Sequence, residues 1–311
     1  MTKKNTDFET LLSDFQSAKI NLNDFLKALS NETDENFGLN LTKLIEKIPS
    51  IHTRLKEIMA DSTNLNDDIV FPAFYSLGIF YRKMKEVSKL NDLIESQRAR
   101  FSSRAMYIFL LAISLRESGK LNDLPEAIIK MRIVTEKIPN NAAILSGFAG
   151  TVVEAFEENI LTDLSILEEA IAKIKIAITN NPKYAKYYCI YGRLIANKGE
   201  YSDACRLIKK AIDLEDSSKK DYSIRIGDYQ YYLSNINYSK QNKRVSDKIN
   251  SITRQIDDFK KEVKDITNVI STRNLEFLGF FAALVSFIIG SIQIIGKQSG
   301  ASLIIPVTIT K

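Results

Sequence analysis

Ala185–Leu214, AKYYCIYGRLIANKGEYSDACRLIKKAIDL, decides how this chain is to be read. Its first half carries Tyr188, Tyr191 and Gly192, and its second half Ala204, Ile208 and Ala211. Steps of three and four residues put each set on one face of a helix. Gly199, followed by Tyr201, lies between the halves, where a residue free to take a left-handed conformation ends one helix and reverses the chain. Small residues such as Gly192 and Ala204 let the paired helices approach. The stretch predicts a helical hairpin, and Pro182 ends the unit before it.

Weaker versions of the pattern extend upstream. Ala170, Ile174, Ala177 and Pro182 close one unit, and Ala112, Gly119, Ala127 and Pro139 mark another. Phe74, Leu77, Gly78 and Tyr81 stand at the relative positions of a first helix. These positions resemble the tetratricopeptide repeat (TPR), a helix–turn–helix unit of 34 residues. The resemblance covers about 70–215, roughly four units, with the best match over 185–218. Units around Pro139 and Pro182 are longer, with the extra residues placed at Asn122–Pro125 and Asn159–Ser165. The resemblance implies an α-solenoid with a concave groove for a protein or peptide partner. It also places Tyr188, Arg193 and Asn197, on the first helix of the best unit, where such a surface forms.

Upstream of the array, Phe8, Leu11, Leu12 and Phe15 recur at helical spacing, Asn21 precedes Phe25 and Leu26 as an N-cap, and Leu41, Leu44, Ile45 and Ile48 mark a third helix. Downstream, Tyr222–Tyr238 reads as the closing helix of the solenoid. Tyr229, Tyr231 and Tyr232 on it are packing residues or, alternatively, a ligand platform.

The most regular pattern follows. Val245, Ile249, Ile252, Ile256, Phe259, Val263, Ile266 and Ile270 alternate steps of four and three, the apolar seam of a left-handed coiled coil. Every seam residue except Phe259 is β-branched, which leans toward more than two strands, with an antiparallel or intramolecular partner as the alternative. Then comes Leu278–Ile295, LGFFAALVSFIIGSIQII, with no formal charge. At about 1.5 Å per residue it is roughly 27 Å long, close to the hydrocarbon thickness of a bilayer. Ala282, Ser286 and Gly290 recur at four-residue spacing, a small-residue stripe of the kind that packs helices in lipid. From Lys240 to Arg273 there are nine basic residues against five acidic ones, whereas only Lys297 and Lys311 are basic beyond Ile295. The asymmetry places the N-terminal side in the cytosol and the chain in the membrane by a single pass near its C-terminus. Ala301–Thr310 is too short for a second ordinary span.

The expected architecture is therefore all-α. It comprises an N-terminal helical region (1–65), a TPR-like α-solenoid (66–240), a long coiled-coil helix (241–274) running into a C-terminal transmembrane helix (275–296), and a short apolar tail (297–311). Its partners are a protein or peptide in the repeat groove, the lipid bilayer, and further copies of the chain. The oligomerisation residues are Ile249, Ile252, Ile256, Phe259, Val263, Ile266, Ala282, Ser286 and Gly290.

Chemistry is hard to place on this sequence. His52 is the sole histidine, Cys189 and Cys205 fall on two helices of one unit, and no metal-ligand spacing or nucleophile motif occurs. Adjacent carboxylates such as Glu157-Glu158 diverge by about 100° on a helix. Gly290–Gly296 has one residue too many for a phosphate loop. A net charge of +5, with acidic and basic residues interspersed, does not predict a nucleic-acid face. No catalysis and no cofactor are expected. Two other functions share this architecture. One is a bacterial defence-type effector whose array senses a signal while the C-terminal segment disrupts the membrane, and the other is a soluble oligomer with Leu278–Ile295 in its core.

Overall fold

In a computed structural model, residues 8–34, 36–219 and 221–298 are described, with side chains to residue 293. The apolar tail 301–310 and the first seven residues lie outside the described residues. Two compact units are present, Met1–Lys240 and Gln241–Lys311.

The first unit is a solenoid of helical hairpins, with no strand among the described residues. It opens with α1 (Phe8–Gln16), α2 (Leu22–Ala28), α3 (Phe37–Lys47) and α4 (Ile51–Ala60). The Asn21 side chain caps α2 by accepting from the Asp24 amide at 2.9 Å. Four hairpins follow, each a first and a second helix: α5 (Asp67–Lys83) with α6 (Val87–Ser96), then, after the single turn α7 (Arg98–Phe101), α8 (Ala105–Glu117) with α9 (Leu124–Lys137). The last two are α10 (Ala142–Glu157) with α11 (Leu164–Asn180) and α12 (Ala185–Asn197) with α13 (Tyr201–Leu214). The extra length expected at 122–125 is met by a 3-10 turn at Leu121–Asp123, and that at 159–165 by the loop before α11.

All four hairpins turn the same way. A left-handed residue stands two positions beyond each first helix: Lys85 (φ 57°), Gly119 (φ 72°), Asn159 (φ 56°) and Gly199 (φ 82°). In three of them the next amide reaches back to the first helix, Glu86 to Tyr81 O at 2.9 Å, Ile160 to Ala155 O at 2.9 Å and Glu200 to Ile195 O at 3.2 Å. Those bonds satisfy carbonyls that a helix C-terminus leaves open.

Within a hairpin the helices meet on small residues. A Cβ at Gly192 would lie 3.0 Å from the Ala204 carbonyl and 2.9 Å from Ile208, so α12 and α13 touch backbone to backbone there. Ala204, Ile208 and Ala211 are completely buried beneath it. The N-terminal helices complete the core by covering α5, whose Val70, Phe71, Ala73 and Phe74 are fully buried.

The last helix, α14, runs unbroken from Tyr222 to Gln298. The expected closing helix is therefore its first turns rather than a separate element. Its Tyr229 and Ile236 are buried, and the Tyr229 hydroxyl donates to Glu215 at 2.8 Å, which closes the end of the array. In the second unit every described side chain from 241 to 289 is exposed. The seam residues from Val245 to Ile270 are each 45 to 65% exposed. An 18-residue window of mean hydropathy 2.1 makes α14 long and apolar enough to cross a membrane.

Two glycine substitutions on helices have opposite expected signs. Gly192→Ala overpacks the α12–α13 contact and should cost about 1–3 kcal/mol, whereas Gly227→Ala, with open space around it, should gain about 0.5–1 kcal/mol of helix propensity. Chemical denaturation of the full chain in detergent measures both.

Candidate partner-binding cleft

One repeat of sequence separates residues that end up side by side, and charged residues at the ends of the first helices use this. Arg82 of α5 donates to Glu117 of α8 at 2.8 Å. Its chain neighbour Arg116 donates through Nε to Glu154 of α10 at 2.6 Å. Glu157, one turn beyond Glu154, accepts from Arg193 Nε of α12 at 2.9 Å. Arg193 in turn lies under Tyr232 of α14, its guanidinium carbon 4.1 Å from the ring centroid. Each first helix from α5 to α14 is thus joined to the next. The second helices have a parallel arrangement in Arg132, whose Nε lies 3.0 Å from Glu169 Oε2, and Lys173, 2.9 Å from the same carboxylate.

These bridges are not equivalent. Arg82 and Glu117 keep 39% and 33% of their side-chain surface in water, and a pair so exposed contributes little. Arg193 is only 7% exposed. Burial opposes its charge, but the bonds and charge of Glu157 outweigh it and hold the guanidinium protonated above its ordinary range. Removing Glu157 would strand a buried cation, the expensive way to break such a pair.

Above Arg193 opens a cleft of about 710 Å³ lined by the ends of α10 and α12, by the first residue of α13 and by α14 between Tyr231 and Ser239. Glu154, Glu157 and Glu158 form one wall, and Tyr201, Tyr231, Tyr232 and Asn235 contribute from α13 and α14. Arg116 and Arg193 already neutralise Glu154 and Glu157. Glu158 is exposed and adds uncompensated negative charge. The C-termini of α10 and α12 add the negative ends of two helix dipoles. Tyr231, 62% exposed, stands edge-to-face with Tyr232 at 5.5 Å and offers an aromatic surface. Carboxylates, helix C-termini and aromatic faces together favour a cation.

Of the residues expected at a groove, Arg193 and Asn197 are both in this lining, and the Asn197 amide donates to the Arg193 carbonyl at 3.0 Å. Tyr188 is not among the lining residues. It is 5% exposed, with its hydroxyl donating to the Pro182 carbonyl at 2.9 Å and Lys210 over its ring. Glu154, Glu157 and Glu158 also line the cleft, although the sequence spacing of Glu157 and Glu158 turns their side chains about 100° apart. Elsewhere on the first helices, Lys186 keeps contact with water, yet the crowding protein, then the charges of Arg116, Arg82 and Arg225, pull its pKa down to about 8.

The groups considered for chemistry have structural places. His52 stacks on Phe80 at 4.5 Å and hydrogen-bonds the Pro49 carbonyl through Nδ1. Cys189 and Cys205 are free and buried, and burial pushes the Cys189 thiol up to about 12. Among the described residues no three His, Cys, Asp or Glu side chains gather to hold a metal ion.

No protein-family model matches the sequence, and none of the curated proteins is similar to it. Solved structures similar to parts of the chain include three helical-repeat proteins. A MamA double mutant (MamA RS-1 ArsTM) is similar over 56% of this chain and 94% of its own, with 12% identity and a TM-score of 0.38. YrrB, a TPR protein with an unusual peptide-binding site, is similar over 71% of this chain and 99% of its own, with 16% identity and a TM-score of 0.40. The TPR2AB domain of yeast Sti1, in complex with pHSP90, is similar over 75% and 90%, with 14% identity and a TM-score of 0.28.

Proposed function

We propose that this chain is a membrane-anchored docking protein that acts by binding rather than by catalysis. The cleft above Arg193 carries the reading. A segment of a partner protein lies along the first helices and inserts a lysine or arginine beside Glu158, with its charge facing the carboxylates and its aliphatic stem on Tyr231 and Tyr232. Arg193 and Asn197 hold the cleft open from below. The array is carried on α14, which self-associates through the seam from Ile249 to Ile266 and enters the bilayer with Leu278–Ile295. The absence of charge from that stretch and the exposure of its side chains from Leu278 to Ile289 support the membrane assignment.

Docking is tested by titrating the full chain, in detergent, with fluorescent peptides that differ only in lysine or arginine against glutamate. The basic peptides should bind more tightly, and raised salt should weaken them. Glu158→Lys, on an exposed residue, should reduce their affinity roughly tenfold, about 1.4 kcal/mol. Equal binding of both peptide classes, or an unaltered affinity in E158K, would contradict the assignment. For the membrane, the full chain should remain in the pellet after alkaline carbonate extraction. Release into the supernatant as a discrete oligomer would establish the soluble alternative instead.

A further inference from the structure

The seam on α14 needs a cover. Charged residues such as Asp247, Lys248, Asp257, Asp258, Lys260 and Lys261 flank it, so lipid does not cover residues 245–270. The buried apolar side chains of the first unit pack in its own core, and its exposed ones, such as Leu39 on α3, Ile129 on α9 and Leu164 on α11, are dispersed over separate helices and make no matching seam. A seven-residue repeat sustained for nearly four heptads is the signature of another helix with the same repeat, because knobs and holes recur at that interval only when both helices supply them. A second copy of this chain supplies such a helix, with the same repeat over the same length and the apolar stretch at the same end. Since both copies place Leu278–Ile295 in the same membrane, they run parallel.

The unbroken helix then extends the argument. The alternation of four and three continues beyond Ile270 to Arg273, Phe277, Phe280, Leu284 and Phe287. Leu278–Ile295 is apolar all round, so composition does not choose a face there. Phase does: α14 has no break between the seam and the apolar stretch, and packing upstream fixes which face of the later turns meets the partner. Phe277, Phe280, Leu284 and Phe287 are 63, 63, 40 and 74% exposed and form that face. The Ala282, Ser286 and Gly290 stripe is turned from it by roughly 140°.

Resting on the self-association proposed above, we infer that α14 forms one continuous parallel interface between copies from Val245 to Phe287, with Phe277, Phe280, Leu284 and Phe287 at its membrane-embedded end. In this arrangement Ala282, Ser286 and Gly290 face lipid. Arg273 is the one charged residue along the seam, at the junction between the polar and apolar parts. Neighbouring copies bring their Arg273 side chains together, so this layer is the weakest of the interface.

Single-cysteine variants of the full chain in native membranes test the inference. The parent, whose two cysteines are buried, is the blank. Oxidation should give disulfide-linked dimer at Phe259→Cys, Phe280→Cys and Phe287→Cys, several-fold more than at Lys261→Cys, Ala282→Cys and Ile289→Cys. Arg273→Leu should make the oligomer survive greater dilution in detergent. Dimer at Phe259→Cys with Ala282→Cys exceeding Phe280→Cys would leave self-association standing and overturn the continuous face. Crosslinking of Ile249→Cys to Ile266→Cys in mixed copies, in place of like with like, would establish an antiparallel pair and also overturn it. Absence of dimer at every position, from a chain that is monomeric by size, would remove self-association and the inference together.

Discussion

The guanidinium of Arg193, bound to Glu157 on one side and lying under Tyr232 on the other, is the interaction on which the C-terminal end of the array depends. It joins three first helices, α10, α12 and α14, at the point where the cleft opens. A buried cation is costly unless its donors are filled. That cost is the source of its precision, because the charge is satisfied only when the helices hold one relative position. Arg82–Glu117 repeats the device farther from the cleft, in more water and with less at stake, while Arg116–Glu154 repeats it in the cleft wall itself.

Much of the fold was legible because small residues reveal close contact. Gly192 and Ala204 pointed to a hairpin, and the structure puts a backbone contact between them. Gly199 marked its turn, and Gly119, read only as a repeat position, takes the same left-handed place after α8. Lys85 and Asn159 make equivalent turns without a glycine, and nothing local in the sequence distinguishes such a lysine from any exposed one. Reach-back bonds to Tyr81 and Ala155 impose the left-handed conformation, and those bonds belong to the folded hairpin. The repeat period blurred for the same reason, since loops outside the packed helices absorb extra residues at no cost to the core.

The candidate site was less legible than the fold. Arg193 and Asn197 could be placed on a first helix, but only the cleft separates them from Tyr188, which stands five residues before Arg193 on the same helix. Glu154 and Glu157 acquire meaning only beside Arg116 and Arg193, one repeat away in sequence. Pairing across repeats is a property of the stacked solenoid, and no window of a single helix contains it. The helix that carries the seam was legible, because a heptad repeat is local.

Double-mutant cycles on Arg193 and Glu157 test most directly whether this bridge holds the end of the array together. Arg193→Met, Glu157→Gln and the double variant, compared by chemical denaturation of the full chain, should give a coupling of about 1.5 kcal/mol or more. The same cycle on Arg82 and Glu117 should give less than about 1 kcal/mol. A coupling for Arg193 and Glu157 no larger than that of the exposed pair would contradict the account.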